Sequence, residues 1–107
     1  NYYLKNLNLS FLNLQKLSSK EIVPWTLSLT IKNRKIDNLY NFLKSNNIET
    51  RKGFYSANRM KIYNTSKNSI KNSDFLSKNV LCLPFYVGIS NSEISYVCKK
   101  INSYFLK

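Results

Sequence analysis

The sequence predicts an α+β fold, a small antiparallel sheet with helices packed on one face, and three segments carry that expectation. Trp25, Leu27, Leu29 and Ile31 alternate with Thr26, Ser28, Thr30 and Lys32, the period-two pattern of a half-buried strand. Ile36, Leu39, Tyr40 and Leu43 recur at the spacing of one helical face. Ile94, Val97, Cys98, Ile101, Tyr104 and Phe105 form a second, longer helical stripe. Two such stripes need an apolar surface to cover, and the alternating strand offers one on a single side.

Along the chain, Tyr2, Tyr3 and Leu4 read as the end of a helix, and Leu9, Phe11 and Leu12 as a short strand before a polar turn at Ser18-Ser19-Lys20. Pro24 opens the alternating strand. Asn33 is the expected N-cap of the next helix, which should stop at Ser45-Asn46-Asn47, because Asn tolerates the left-handed conformation there. Ile48 to Arg51 is a short extended piece, and residues 52–68 form a long loop, a length that in compact domains marks function or mobility. Ile70, Asp74, Phe75 and Leu76 suggest a short helix. Val80, Leu81, Cys82 and Leu83 make a buried strand cut off by Pro84, which has no N–H to donate. Ser90-Asn91-Ser92-Glu93 is a capping box for the last helix.

The 107 residues, 43% apolar, suffice for one domain with a modest core. No apolar run reaches the roughly 18 residues of a membrane span. Asn1-Tyr2-Tyr3 has neither an initiator Met nor the layout of a signal peptide, so the chain is expected to be part of something longer. Cys82 and Cys98 both lie inside apolar patterns and there is no histidine, which excludes a Cys/His zinc site and points to two buried, reduced thiols in a cytoplasmic protein. Seventeen Lys and Arg against five acids give a formal charge of +12. The lysines are scattered, and the densest short stretch, Lys32-Asn33-Arg34-Lys35, holds only three charges, so a diffusely basic solvated surface is expected. The scarcity of acids leaves open a polyanionic partner such as nucleic acid, membrane headgroups or a nucleotide diphosphate.

Most catalytic constellations are missing. Without histidine there is no triad, two glycines cannot build a phosphate cradle, and the five acids form no evident carboxylate pair. The segment Ile48-Glu49-Thr50-Arg51-Lys52-Gly53-Phe54-Tyr55 stands apart. Arg51 can grip a phosphate or carboxylate bidentately, and Tyr55 can stack on a ring or donate its hydroxyl. Arg59 and Lys61 follow in the same loop. The competing reading pairs Arg51 with Glu49 or another surface acid and uses Phe54 to plug the core.

The order Val23-Pro24-Trp25, alternating strand, helix, Asn47-Ile48-Glu49-Thr50-Arg51 and Gly53-Phe54-Tyr55 resembles the small domain of the DegT/DnrJ/StrS-type sugar-nucleotide aminotransferases. The likeness continues at Tyr63 and at Leu83-Pro84-Phe85-Tyr86-Val87-Gly88-Ile89, leading into Glu93, Ile94 and Val97. It implies a fold type I enzyme whose large domain holds PLP on a lysine outside this chain, with none bound here, and which acts as a homodimer in the cytoplasm. Such enzymes transfer an amino group, commonly from glutamate, to a nucleotide-linked keto-sugar, often for surface polysaccharides. Residues 1–19 would be the end of the interdomain helix and a lead-in strand, and residues 20–107 the C-terminal small domain. Arg51, Phe54, Tyr55, Asn58, Arg59 and Tyr63 would border the substrate. The chain departs from the family at Ser56-Ala57-Asn58, where Pro and then His are common, and at Ile62, where Pro is usual.

A rival reading is a free-standing basic α+β module that binds nucleic acid through Arg51, Tyr55, Arg59 and nearby lysines. It needs aromatics and bases gathered on a sheet face. The alternation instead puts Trp25 with the apolar residues on one face and only Thr, Ser and Lys on the other, which disfavours it.

Overall fold

The computed structural model describes residues 2–16, 23–32, 35–63 and 70–106. Its elements are α1 (Tyr2–Asn6), β1 (Leu12–Leu14), β2 (Leu27–Ile31), α2 (Ile36–Ser45), β3 (Arg51–Lys52), α3 (Lys71–Asn79), β4 (Val80–Leu83) and α4 (Asn91–Phe105). Single 3₁₀ turns at Ala57–Arg59 and Lys61–Tyr63 occupy the expected loop.

The strands form one antiparallel sheet in the order β1-β2-β4-β3. Directly paired residues share a face. Leu27 faces Leu83, Leu29 faces Leu81 and Leu14, and Ile31 faces Leu12, which collects the leucines on one side. Ile36, Leu39 and Leu43 of α2 and Ile94, Val97, Cys98, Ile101 and Phe105 of α4 join these leucines in one buried cluster. That is the α+β arrangement of helices over one sheet face. Tyr3 and Leu7 add the N-terminal segment to the same core.

Helix ends follow local chemistry. Asn47 takes a positive φ of 58°. Its N–H donates to the Lys44 carbonyl while that of Ile48 donates to the Leu43 carbonyl, a Schellman closure with Ile48 and Leu43 both buried. The capping box of α4 forms in full: Ser90 Oγ accepts from the Glu93 N–H, and the Glu93 carboxylate accepts from the Ser90 N–H. The expected cap Asn33 and the turn Ser18-Ser19-Lys20 lie outside the described residues; Lys35, at the described cap position of α2, makes no side-chain capping bond.

Two expectations need correction, and both cysteines are buried as expected. The first strand lies at Leu12–Leu14, not at Leu9 to Leu12, and the exposed Phe11 ring stacks on Phe105, with centroids 5.3 Å apart. Trp25 is not on the apolar face: it is 78% exposed and lies outside β2. The register explains this, because Thr26 would fall opposite Pro84, whose missing N–H ends the ladder. Cys82 is buried, but on the face opposite the helical core, paired with Ser28. Cys98 belongs to that core, and neither thiol is in a disulfide.

Candidate functional site

Strand β3 pairs with β4 at only two positions, Arg51 with Cys82 and Lys52 with Leu81. Before Arg51 the two segments part, since Leu83 leads into Pro84. The fork opens a groove of about 810 Å³ whose walls include Trp25, Arg51, Phe54, Phe85, Tyr86 and Glu93. Thr50, just before the pairing begins, also lines it, and its buried Oγ1 has no hydrogen-bond partner among the described residues.

Strand alternation sends the two cations of β3 to opposite faces. Lys52, on the helical side, reaches Asp37 of α2 at 2.5 Å and lies 5.1 Å from the Tyr40 ring centroid. This hydrogen bond holds the Asp37 carboxyl below the usual carboxylate range. Arg51 shares the other face with Cys82 and Ser28, whose side chains meet at 3.6 Å. It is exposed, and no ion pair engages it among the described residues. The pair with Glu49 that the competing reading offered does not form.

Beyond Lys52 the chain must leave the sheet in a confined space. Gly53 donates to the Val80 carbonyl, and a Cβ there would lie 2.9 Å from Val80 Cβ and 3.0 Å from the Leu76 carbonyl oxygen. Only glycine fits. The chain then projects Phe54 outward, 71% exposed, rather than plugging the core. Its ring stacks on Trp25 with centroids 5.9 Å apart and planes 25° apart. The pair joins the entry to β2 with the exit from β3, spanning the intervening β4.

The rest of the loop is braced by α3. Ser56 is buried; its N–H donates to Ser77 Oγ, and its hydroxyl bonds Ser73 Oγ and Asn58 Oδ1. Arg59 Nε meets Asp74 Oδ1 at 2.7 Å, and Asn58 Nδ2 approaches Asp74 Oδ2 at 3.5 Å. The Arg59 hydrogen bond, aided by Asn58 and Ser56, holds the Asp74 carboxyl below its ordinary range. On the far wall, Tyr86 donates to Glu93 Oε1 at 2.9 Å. Bonds from Ser90 and then Tyr86 lower the Glu93 carboxyl.

Of the six residues expected at a site, Arg51 and Phe54 line the groove. Asn58 and Arg59 are engaged by Asp74, while Tyr55 and Tyr63 are exposed on the same loop without lining the groove. Sequence reasoning missed Trp25 and the Tyr86–Glu93 pair. The position of Pro84 was the available signal for Trp25, but it becomes legible only once the strand register is known. Among the described residues no cluster of His, Cys, Asp and Glu could hold a metal, and no helix is long and apolar enough to cross a membrane.

The fold is shared with solved enzymes. An aminotransferase TlmJ from Streptoalloteichus hindustanus superimposes with a TM-score of 0.84 at 14% identity, covering 97% of this chain and 29% of that one. The E. coli GDP-4-keto-6-deoxy-D-mannose-3-dehydratase, solved with hydrated PLP, gives 0.78 at 22% identity over 94% of this chain and 28% of its own. In sequence, the GDP-perosamine synthase of Escherichia coli O157:H7 is 30% identical over 106 residues, 96% of this chain. The chain spans only 29% of that relative's length. The family model for the DegT/DnrJ/EryC1/StrS aminotransferases matches residues 2–102, and with the groove and sheet in place the conclusion is direct: this chain belongs to the DegT/DnrJ/EryC1/StrS aminotransferase family.

Proposed function

We propose that the chain is the C-terminal small domain of a PLP-dependent enzyme that transfers an amino group, from glutamate, to a nucleotide-linked keto-sugar destined for surface polysaccharide. The family match over nearly the whole chain carries this reading, and the GDP-linked chemistry named for two relatives supports a nucleotide sugar. In this reading, residues 1–19 end the interdomain helix and lead into the sheet, and residues 20–107 are the small domain of a cytoplasmic homodimer. Arg51, Phe54, Tyr55 and Tyr63 border the sugar nucleotide, and Asn58 and Arg59 hold their loop in place through Asp74.

The described residues do not fit a PLP seat. A Schiff-base lysine needs a desolvated surrounding, and every described lysine is exposed except Lys100, which is only partly buried and lies 5.4 Å from the Tyr96 ring centroid. The cofactor, which supplies the electron sink for amino transfer, therefore belongs to the remainder of the enzyme. This chain's part is to bind and orient the substrate.

The test is to express the full-length protein with PLP and supply glutamate and a GDP-linked 4-keto-6-deoxy sugar. Formation of the amino sugar supports the reading. A deoxygenated sugar formed by loss of water, or binding of nucleic acid without any amino transfer, overturns it.

A further inference from the structure

The groove wall that follows β4 is residues 84–89, which belong to no strand or helix. A segment without ladder bonds needs other anchors to keep one shape. Two side-chain hydrogen bonds supply them. At its start the buried Tyr3 hydroxyl donates to the Pro84 carbonyl at 2.7 Å. Two residues on, the Tyr86 hydroxyl donates to Glu93 Oε1 at 2.9 Å. Between Tyr86 and Glu93 the chain reverses. The Ile89 N–H donates to the Tyr86 carbonyl at 3.3 Å, and Gly88, third in that turn, has the positive φ of 92° that a type II turn requires there. The two oxygens of Glu93 are used differently. Oε2 accepts from the Ser90 N–H at 2.8 Å and from Ser90 Oγ at 2.7 Å, which serves the cap of α4. Oε1 has no part in the cap and takes only the Tyr86 hydroxyl among the described residues, so capping leaves that bond unexplained.

We infer that Glu93 is a positioning residue for the groove, holding the Tyr86 side of its wall in place through the phenol hydroxyl. This rests on reading the groove as the substrate site, and it adds what keeps the wall in shape rather than what binds there. Three hydrogen bonds already fall on the carboxylate, which offers roughly four lone-pair sites, so little of it is left for substrate. Its bond to Tyr86 is charge-assisted. The same donors hold the Glu93 carboxyl below its ordinary range, which keeps it ionised and accepting at neutral pH. Tyr86 is exposed, so the bond shapes the wall locally and adds little to the stability of the whole fold.

The test is a double-mutant cycle in the full-length enzyme. Tyr86→Phe deletes the hydroxyl and keeps both ring and cap; Glu93→Gln keeps an acceptor for the cap and removes the charge. Tyr86→Phe should raise KM for the keto-sugar substrate about three- to tenfold, with kcat within about twofold and the urea midpoint unchanged. Glu93→Gln should act in the same direction. Added to Tyr86→Phe it should change KM no further, because a residue acting only through its partner contributes nothing once that partner is gone. Additive losses would mean that Glu93 meets the substrate itself. An unchanged KM in Tyr86→Phe, or a loss that merely follows a lower midpoint, would make the bond a detail of the fold. Each of these results overturns the inference. Hydrogen exchange supplies a readout that needs no catalysis: Tyr86→Phe should speed exchange of the Ile89 amide severalfold and leave the Ile101 amide of α4 as it was. If exchange responds in this way but the enzyme aminates no sugar, the anchor stands and the proposed reaction falls. If the Ile89 amide is unaffected, the anchor falls whatever the reaction.

Discussion

Tyr3 and Pro84 are 81 residues apart in sequence, yet the Tyr3 hydroxyl donates a 2.7 Å hydrogen bond to the Pro84 carbonyl. The ring is almost fully buried, and that burial raises the phenol's pKa well above its ordinary value. The bond ties the N-terminal helix to the wall of the groove, since Pro84 lines it. Tyr3→Phe should therefore lower stability by about 0.5–1.5 kcal/mol, read as a lower urea midpoint at unchanged m. An unchanged midpoint would mean that the hydroxyl contributes nothing net.

Arg51→Ala in the full-length enzyme should reduce kcat/KM for the keto-sugar about tenfold to hundredfold, the loss of one charge-assisted contact. The half-reaction with the amino donor serves as control. Because Arg51 is exposed and outside any ion pair among the described residues, stability should change by less than about 0.5 kcal/mol. A variant that melts much earlier but turns over normally would make Arg51 a scaffold residue.

Gly53→Ala and Gly88→Ala make an informative pair. At Gly53 the new methyl meets Val80 Cβ and the Leu76 backbone, so a penalty of about 1–3 kcal/mol from overpacking is expected. At Gly88 an added Cβ would meet no described residue beyond its chain neighbours within 4 Å, but φ is +92° and only backbone strain of about 1 kcal/mol applies. Thermal melts of both variants check the order. The Gly53 change should also disturb Trp25 fluorescence, through Phe54, and the Gly88 change should not.

The Asp74 carboxyl is lowered chiefly by its hydrogen bond from Arg59. A depressed folded value means the contact is fully present above the ordinary carboxylate range and fades as pH falls through the lowered value. Asp74→Asn should therefore loosen residues 56–59 at neutral pH. Trypsin should cut after Arg59 severalfold faster in the variant, and the Ser56 amide shift should lose its acidic titration. Equal cutting rates would remove the bracing role from α3.

Thiol labelling should be slow for both cysteines in the native chain and complete on unfolding. Burial pushes the Cys98 thiol up to about 11, which suppresses its thiolate at neutral pH. Cys82 faces the groove, so it should label first. Prior reaction of Cys98 would contradict the face assignment.

The elements readable from sequence were those with their own periodicity. Leu27, Leu29 and Ile31, the stripes of α2 and α4, the Asn47 stop and the Ser90–Glu93 box each depend on neighbours within a few residues. The misses depend on partners far along the chain. Trp25 fits the alternation perfectly, and only Pro84, which falls opposite Thr26 and lacks an N–H, ends the ladder before it. Arg59 looked free because its acid, Asp74, lies 15 residues away across the loop. The resemblance located the groove-lining Arg51 and Phe54 but could not say which loop residues were already engaged.

The brevity of the outer strands has a consequence for how molecules of this chain meet one another. A sheet edge is a template for unwanted pairing, and natural sheets blunt it with short strands and charge. Here the edges are β1, with three residues, and β3, with two adjacent cations. Two β3 edges would bring two Arg51 guanidiniums together, neither in an ion pair among the described residues, while each Lys52 is paired with Asp37. In a chain of net charge +12, that repulsion favours separate molecules over cross-strand aggregates, most strongly at low ionic strength.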